Sequence, residues 1–226
     1  MLAYGNEPRG GHQVAYLTKF IHYWENKDSR RVYTGASVAM SWPIVPANQY
    51  MIKSGARGLA WNHQPESNSD YSKAIEAFHV PYVAHELGQW CAFPDFKEIR
   101  LYTGLYKAKN FEMFQDILND QGMGNEAENF LMASGKLQVL CYKNEIEKSL
   151  RTPANGGFQM LSLTDYPGQG TALVGVLNAF WKEKGYVDAK AFSRFCNSTV
   201  PLLRTGSFVY THQQTFKGEA EIYHYG

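Results

Sequence analysis

The chain has 226 residues, 44% of them hydrophobic and 15% aromatic, with 22 basic and 21 acidic side chains and a formal net charge of +1. That length suits one sizeable core, or one domain with a small appendage, and the composition excludes a disordered chain. The near-neutral charge gives no electrostatic case for a nucleic-acid partner or an anionic membrane, and no run reaches the roughly 18 apolar residues of a membrane helix.

The N-terminal stretch Leu2-Ala3-Tyr4 reads as a strand end, closed by Gly5-Asn6-Glu7-Pro8. The chain thus opens in mid-element, and Met1 is expected to be an internal methionine or an accidental start. Val14, Leu17, Ile21 and Trp24 recur at steps of three, four and three and predict a helix over 12–24. Residues 31–35 read as a second strand, and Pro43 and Pro46 break the loop after it. Gly58-Leu59-Ala60-Trp61 reads as a third strand, running into Asn62-His63. Asp70 can cap a helix to Phe78, after which residues 80–84 form a fourth strand that delivers His85-Glu86-Leu87-Gly88.

From Asn110 to Leu150 the periodicity is helical, with Phe111, Phe114, Ile117 and Leu118 on one face. Gly122-Met123-Gly124 breaks it, and Phe130, Leu131, Leu137, Leu140 and Ile146 continue in further helix. Residues 156–163 read as a fifth strand, entering a turn at Asp165-Tyr166-Pro167-Gly168. Phe192 to Phe195 is a short helical piece. After Arg204 the texture changes, and Ser207–Tyr210 and Glu219–Tyr223 read as strands of another kind. Cys91, Cys141 and Cys196 lack metal or disulfide spacing and read as buried thiols.

Strands alternating with helical segments predict an α/β fold with a parallel sheet. Each of the five strands ends in polar residues: Asn6-Glu7, Ser37, Asn62-His63, His85-Glu86 and Asp165. In a βα barrel, active-site groups collect at those ends. Five strands cannot close an eight-stranded barrel, so the expectation is a partial (β/α)8 TIM barrel, strands four to eight, over 1–204. A short β-rich tail would follow over 205–226.

Two glutamates, Glu7 and Glu86, stand at strand ends. Paired carboxylates facing one pocket are the apparatus of glycoside hydrolysis. Either glutamate alone reads equally as a cap or a solvated loop residue. Gly5 and Pro8 constrain the backbone at Glu7, and Glu86 has His85, Gly88, Gln89 and Trp90 around it.

At these residues a resemblance emerges. The GNEP at 5–8 resembles the acid/base motif of glycoside hydrolase family 2, whose Asn-Glu pair ends barrel strand four. HELG at 85–88 resembles the segment presenting the nucleophile at the end of strand seven. The strand count agrees: Glu7 ends the first visible strand and Glu86 the fourth. GGFQ at 156–159 and DYPGQGTALVG at 165–175 resemble strand eight and its loop in β-galactosidase-like members. Residues 205–226 are similar to the start of the β-sandwich that follows such barrels.

The resemblance implies a retaining exo-β-glycosidase with Glu7 as general acid/base and Glu86 as nucleophile. It implies that Asn6 bonds the sugar 2-hydroxyl. Galactoside is the favoured substrate only through the strand-eight segment. No cofactor is implied, although some members of that family bind magnesium or sodium near the site, and the partner is a β-glycoside.

Other candidates carry alternatives. Trp61 and Trp90 stack on sugar faces or form core and wall. His63 bonds a hydroxyl or is structural; His85 bonds a hydroxyl or orients Glu86. Gln159 points into the barrel or at substrate, and Asp165 holds a rim hydroxyl or caps its turn. A metal hydrolase using His79, His85, Glu86 and Asp95 is disfavoured because the spacing is not HExxH. The stronger rival is a catalytically inactive half-barrel that self-associates through its open edges, or binds carbohydrate without hydrolysis.

Overall fold

The structure, a computed structural model, describes residues 1–38, 44–166 and 172–226. The predicted break at Pro43 and most of the turn after Asp165, from Pro167 to Thr171, lie outside the described residues. The chain divides into two compact units. The first comprises Met1–Leu87, Asn144–Met160 and Ser198–Gly226, and the second Gly88–Lys143 and Leu161–Asn197.

In the first unit, β1 (Leu2–Asn6), β2 (Tyr33–Val38), β3 (Met51–Lys53), β4 (Tyr82–Leu87) and β5 (Asn155–Met160) form one sheet in that order. Every neighbouring pair is parallel. The protein is therefore a mixed α/β fold, as the alternating pattern predicts. β2, β3 and β4 are buried along almost their whole length, as strands of a parallel sheet covered on both faces are. β1 and β5 are the edges, and β1 leaves Leu2 and Tyr4 about half exposed.

Helix α1 (Gln13–Lys27) connects β1 to β2 and buries Leu17 and Ile21. These two pack with Tyr33, Ala36, Val38 and Val45. Each fully buried aliphatic side chain stabilises by about 1.5–3 kcal/mol. Gly35 lets the helix approach: a Cβ there would stand 3.0 Å from Leu17 Cβ. Trp24, assigned to the same face, is 37% exposed, because the contact stripe ends at Ile21.

The third strand departs from expectation. Residues 58–61 form no strand; Gly58 takes φ +88° and Trp61 is exposed. The strand is instead Met51–Lys53, anchored by Asn48, whose Oδ1 accepts from Gly35 N at 2.8 Å. The helix after Asp70 is a single turn, α2 (Ser72–Ile75); Asp70 Oδ1 does accept from Ser72 N, at 2.9 Å.

The first unit also holds an antiparallel hairpin of β6 (Thr199–Arg204) and β7 (Glu219–His224). Ser207–Tyr210 is not a strand, and the expected boundary after residue 204 falls between the two hairpin strands. Arg204 ties the hairpin down. Its guanidinium pairs with Glu221 and Asp70, and donates to Asn68 O at 2.9 Å and Arg151 O at 3.0 Å.

The second unit carries a 3-10 helix (Phe96–Leu101), α3 (Lys109–Asp120) and α5 (Ala189–Phe192). Helix α4 (Ala127–Leu150) starts in the second unit and ends in the first. α3 buries Phe111 and Leu118 but leaves Phe114 and Ile117 exposed, and α4 leaves Leu137 and Leu140 exposed. Phe111, Ala108 and Leu173 form the core here, with Phe96, Ile99 and Tyr102 against them. Of the cysteines, Cys141 is buried as expected, Cys196 is half-buried and Cys91 is exposed. No helix among the described residues is long and apolar enough to cross a membrane.

Candidate active site

Glu7 directly follows β1, and Glu86 is the penultimate residue of β4. In a parallel sheet both therefore stand at the same, C-terminal, edge. Both are held in the left-handed region, at φ +46° and +53°. Among the described non-glycine residues, only Trp181 joins them there. For an L-residue that conformation costs about 1–3 kcal/mol and marks a place where surrounding structure overrides local preference.

At Glu7 the overriding contact is the hydrogen bond from its N–H to Ser37 O, 2.9 Å, which continues the β1–β2 ladder past the strand end. At Glu86 it is a bulge. Ala84 pairs with Phe158 and Leu87 with Met160, so β4 spends three steps where β5 spends two. The extra residue falls at His85-Glu86. A bulge with a left-handed residue re-aims a side chain, a device over-represented beside active sites.

The two carboxylates converge. One oxygen of Glu7, one of Glu86 and a ring nitrogen of His85 all lie within 4.8 Å of one another. His85 Nε2 stands 3.5 Å from Glu7 Oε1 and 3.6 Å from Glu86 Oε1. The imidazole is buried, with its side chain 4% exposed, whereas Glu7 and Glu86 are 36% and 26% exposed. Among the described residues, neither His85 nitrogen has a hydrogen-bond partner.

Arg57, which no sequence motif marks, completes the cluster. Its Nη1 donates to His85 O at 3.1 Å and Glu86 O at 3.0 Å, and stands 3.4 Å from Glu86 Oε2. The run Ser54-Gly55-Ala56-Arg57-Gly58 carries its only sequence signal: an arginine between glycines that follows a strand. Lys53, the last residue of β3, was also missed. It pairs in register with Val38 and Ala84, and burial pulls its ammonium below the usual lysine value.

Asn6 ends β1 opposite Ser37 and is exposed. Trp61 and His63 are exposed in the loop after β3, not at the end of a strand as expected. Gln159 is exposed on β5. Trp90 and Asp165 belong to the second unit. Trp90 is half-buried, and its carbonyl accepts from Gln138 Nε2 at 2.7 Å.

Asp165 is buried and pairs with Lys184 Nζ at 2.6 Å, while its Oδ1 accepts from Gly175 N at 3.0 Å. It is half of a buried ion pair, and the turn it is expected to cap lies, from Pro167 on, outside the described residues. Burial raises its pKa despite Lys184. Glu98, beside it and also buried, is pushed up to about 7, first by burial and then by the Asp165 charge. Both residues line a concavity of about 780 Å³ with Tyr102, Phe111 and Phe180.

The glycine of the HELG segment has a steric explanation in the second unit. Gly88 sits at φ +81°, and a Cβ there would meet Tyr142 Cε1 at 2.0 Å. The Tyr142 hydroxyl sits against Gly88 O at 2.7 Å and Val174 O at 2.6 Å.

No protein-family profile matches this sequence, and a comparison with curated proteins finds no significant match. The fold and geometry by themselves define a mixed α/β protein with a carboxylate–imidazole–carboxylate cluster at the C-terminal edge of a parallel sheet.

Proposed function

We propose that the chain carries the catalytic pair of a retaining β-glycosidase resembling glycoside hydrolase family 2, with Glu7 as acid/base and Glu86 as nucleophile. The observation that carries this reading is the convergence of the two carboxylates, with oxygens within 4.8 Å. Retaining enzymes hold their carboxyl groups about 5–5.5 Å apart, whereas inverting ones leave about 6.5–9.5 Å for a water.

The chemistry follows from that spacing. Glu7 donates a proton to the glycosidic oxygen while Glu86 attacks the anomeric carbon, and the leaving sugar departs as an alcohol. The glycosyl ester on Glu86 is then opened by water, whose proton returns to Glu7. Arg57 holds the nucleophile by its backbone and by one carboxylate oxygen, leaving Oε1 free to attack. Asn6, adjoining the acid/base, is the candidate for the sugar 2-hydroxyl, and galactoside the preferred glycone.

The same reading takes the sheet as strands four to eight of a (β/α)8 barrel. Its sequential order, β1-β2-β3-β4-β5, supports this, because a doubly wound sheet reverses direction partway. The test is trapping with a 2-fluoro glycoside followed by peptide mapping. Label on Glu86, lost in Glu86→Gln, is the expected result; label elsewhere, or none with activity retained, defeats the assignment.

A second reading, a self-associating half-barrel without hydrolysis, is favoured by one observation. Edge strand β1 presents Leu2 and Tyr4 at 44% and 46% exposure, an apolar edge of the kind that pairs with another chain. Sedimentation of the wild type against Leu2→Lys tests it, with association lost in the variant.

A further inference from the structure

We propose that Glu7 Oε1, His85 Nε2 and Glu86 Oε1 form a binding site for a divalent transition-metal ion of the zinc class. Its occupation would block both carboxylates at once. The blocking clause rests on the glycosidase reading; the binding clause does not.

At 3.5 and 3.6 Å, His85 Nε2 is too far from either glutamate oxygen for a normal hydrogen bond, which closes at about 2.7–3.2 Å. Ligands of a tetrahedral ion with bonds of about 2.0–2.2 Å stand about 3.3–3.6 Å apart. The imidazole is therefore spaced from both oxygens as a co-ligand is. The two glutamates lie within 4.8 Å, and Glu7, the more exposed side chain, has room to close the gap.

His85 is buried with neither nitrogen hydrogen-bonded among the described residues, which is rare for a polar group in a core. Its Nε2 faces two acidic oxygens, an arrangement that only a proton on that nitrogen or a metal ion makes favourable. Arg57 approaches the other Glu86 oxygen, Oε2, so it does not compete for Oε1.

The donor set selects the ion. One imidazole and two carboxylates suit zinc, cobalt or copper, whereas magnesium and calcium prefer six or more oxygens. Three protein ligands leave a position open, as in catalytic rather than structural zinc sites. Among the described residues His85 Nδ1 has no outer partner to hold the ring. Such partners are worth about 10–100-fold in affinity, so the site is weaker by that factor than one with a complete outer shell.

The test is titration of the metal-stripped full chain with zinc chloride and, separately, magnesium chloride by calorimetry, with the visible spectrum of the cobalt form. The expected result is one zinc per chain, no magnesium binding, and tetrahedral cobalt bands without a thiolate transition. His85→Ala and Glu7→Gln should each weaken zinc by at least about 10-fold, and Cys91→Ser should leave it unchanged. Glu7→Gln changes a partly exposed side chain, so it serves even if His85→Ala fails to fold.

Wild-type zinc affinity in a folded His85→Ala or Glu7→Gln, no stoichiometric zinc in the wild type, or a thiolate band would each overturn the proposal. Hydrolysis by a chain that binds no zinc sinks this inference alone. Zinc bound by a chain whose Glu86→Gln form still hydrolyses glycosides sinks the glycosidase reading alone.

Discussion

Glu7 and Glu86 share a backbone conformation that their residue type disfavours, φ +46° and +53°, and they share one imidazole, His85, at nearly equal distance from both carboxylates. Two strained residues on separate strands thus aim acids at one point.

Relief of that strain should be measurable. Glycine adopts a left-handed φ without the Cβ penalty of about 1–2 kcal/mol, though it gives back about 0.5–1 kcal/mol of unfolded-state entropy. Glu7→Gly should therefore hold stability unchanged or raise it by up to about 1 kcal/mol, while, on the proposed glycosidase function, hydrolysis falls to background. Urea unfolding with a parallel glycoside assay checks both, and a loss above about 1 kcal/mol would mean that Glu7 supports the fold by its contacts.

Arg57 donates to two strand-end carbonyls from one nitrogen. Arg57→Ala should cost about 1 kcal/mol, toward the lower end for charge-assisted bonds because the side chain is 29% exposed. If Arg57 orients the nucleophile, turnover should drop at least tenfold with KM little changed. An unaltered turnover would reduce it to a structural residue.

The buried Asp165–Lys184 pair should show the asymmetry of buried charges. Lys184→Met leaves the carboxylate buried without its cation and should cost about 3–5 kcal/mol. Adding Asp165→Asn removes the charge yet keeps an oxygen for Gly175 N, so the double variant should recover most of the loss. Non-recovery in chemical denaturation would show that packing, not charge, dominates.

Stability should fall as pH rises through the Glu98 range. Its folded pKa of about 7 lies above the ordinary value of 4.5, so the native state holds the proton more tightly than the unfolded chain between those limits. The contribution is complete below about 4.5 and is lost as pH passes 7; at about 1.4 kcal/mol per pKa unit it reaches about 3 kcal/mol. Burial raises Asp165 as well, which has the same sign. Urea midpoints from pH 5 to pH 8 should decline in the wild type and flatten in Glu98→Gln.

Gly88→Ala should unfold or severely weaken the second unit. It combines a φ of +81° with a Cβ 2.0 Å from the Tyr142 ring. The paired substitution with Tyr142→Ala should relieve the clash but not the backbone strain, and thermal unfolding of the three variants separates the two terms.

The carboxylates were legible because short polar punctuation surrounds them: Gly5 and Pro8 beside Glu7, His85 and Gly88 beside Glu86. The parallel sheet was legible from alternation of strand-like and helical stretches. β3 was not, because three residues give no period, and a lysine inside them argues against burial until the neighbouring strands are known. Gly58-Leu59-Ala60-Trp61 offered a more apolar run and drew the assignment instead. β6 was hidden by Pro201. Arg57 and the bulge at His85-Glu86 depend on pairing between segments far apart in sequence, which no local pattern encodes.

The hairpin settles how divisible the polypeptide is. Arg204 lies on β6, while one of its acids, Glu221, comes from β7 and the other, Asp70, from the loop before α2. Val200 and Leu202 are buried on the strand that β7 flanks. Residues 205–226 therefore do not behave as a detachable tag. A shortened form ending at 204, or a chimera joined there, would strip one wall from a shared ionic knot, so any swap of this region should place its seam before Ser198.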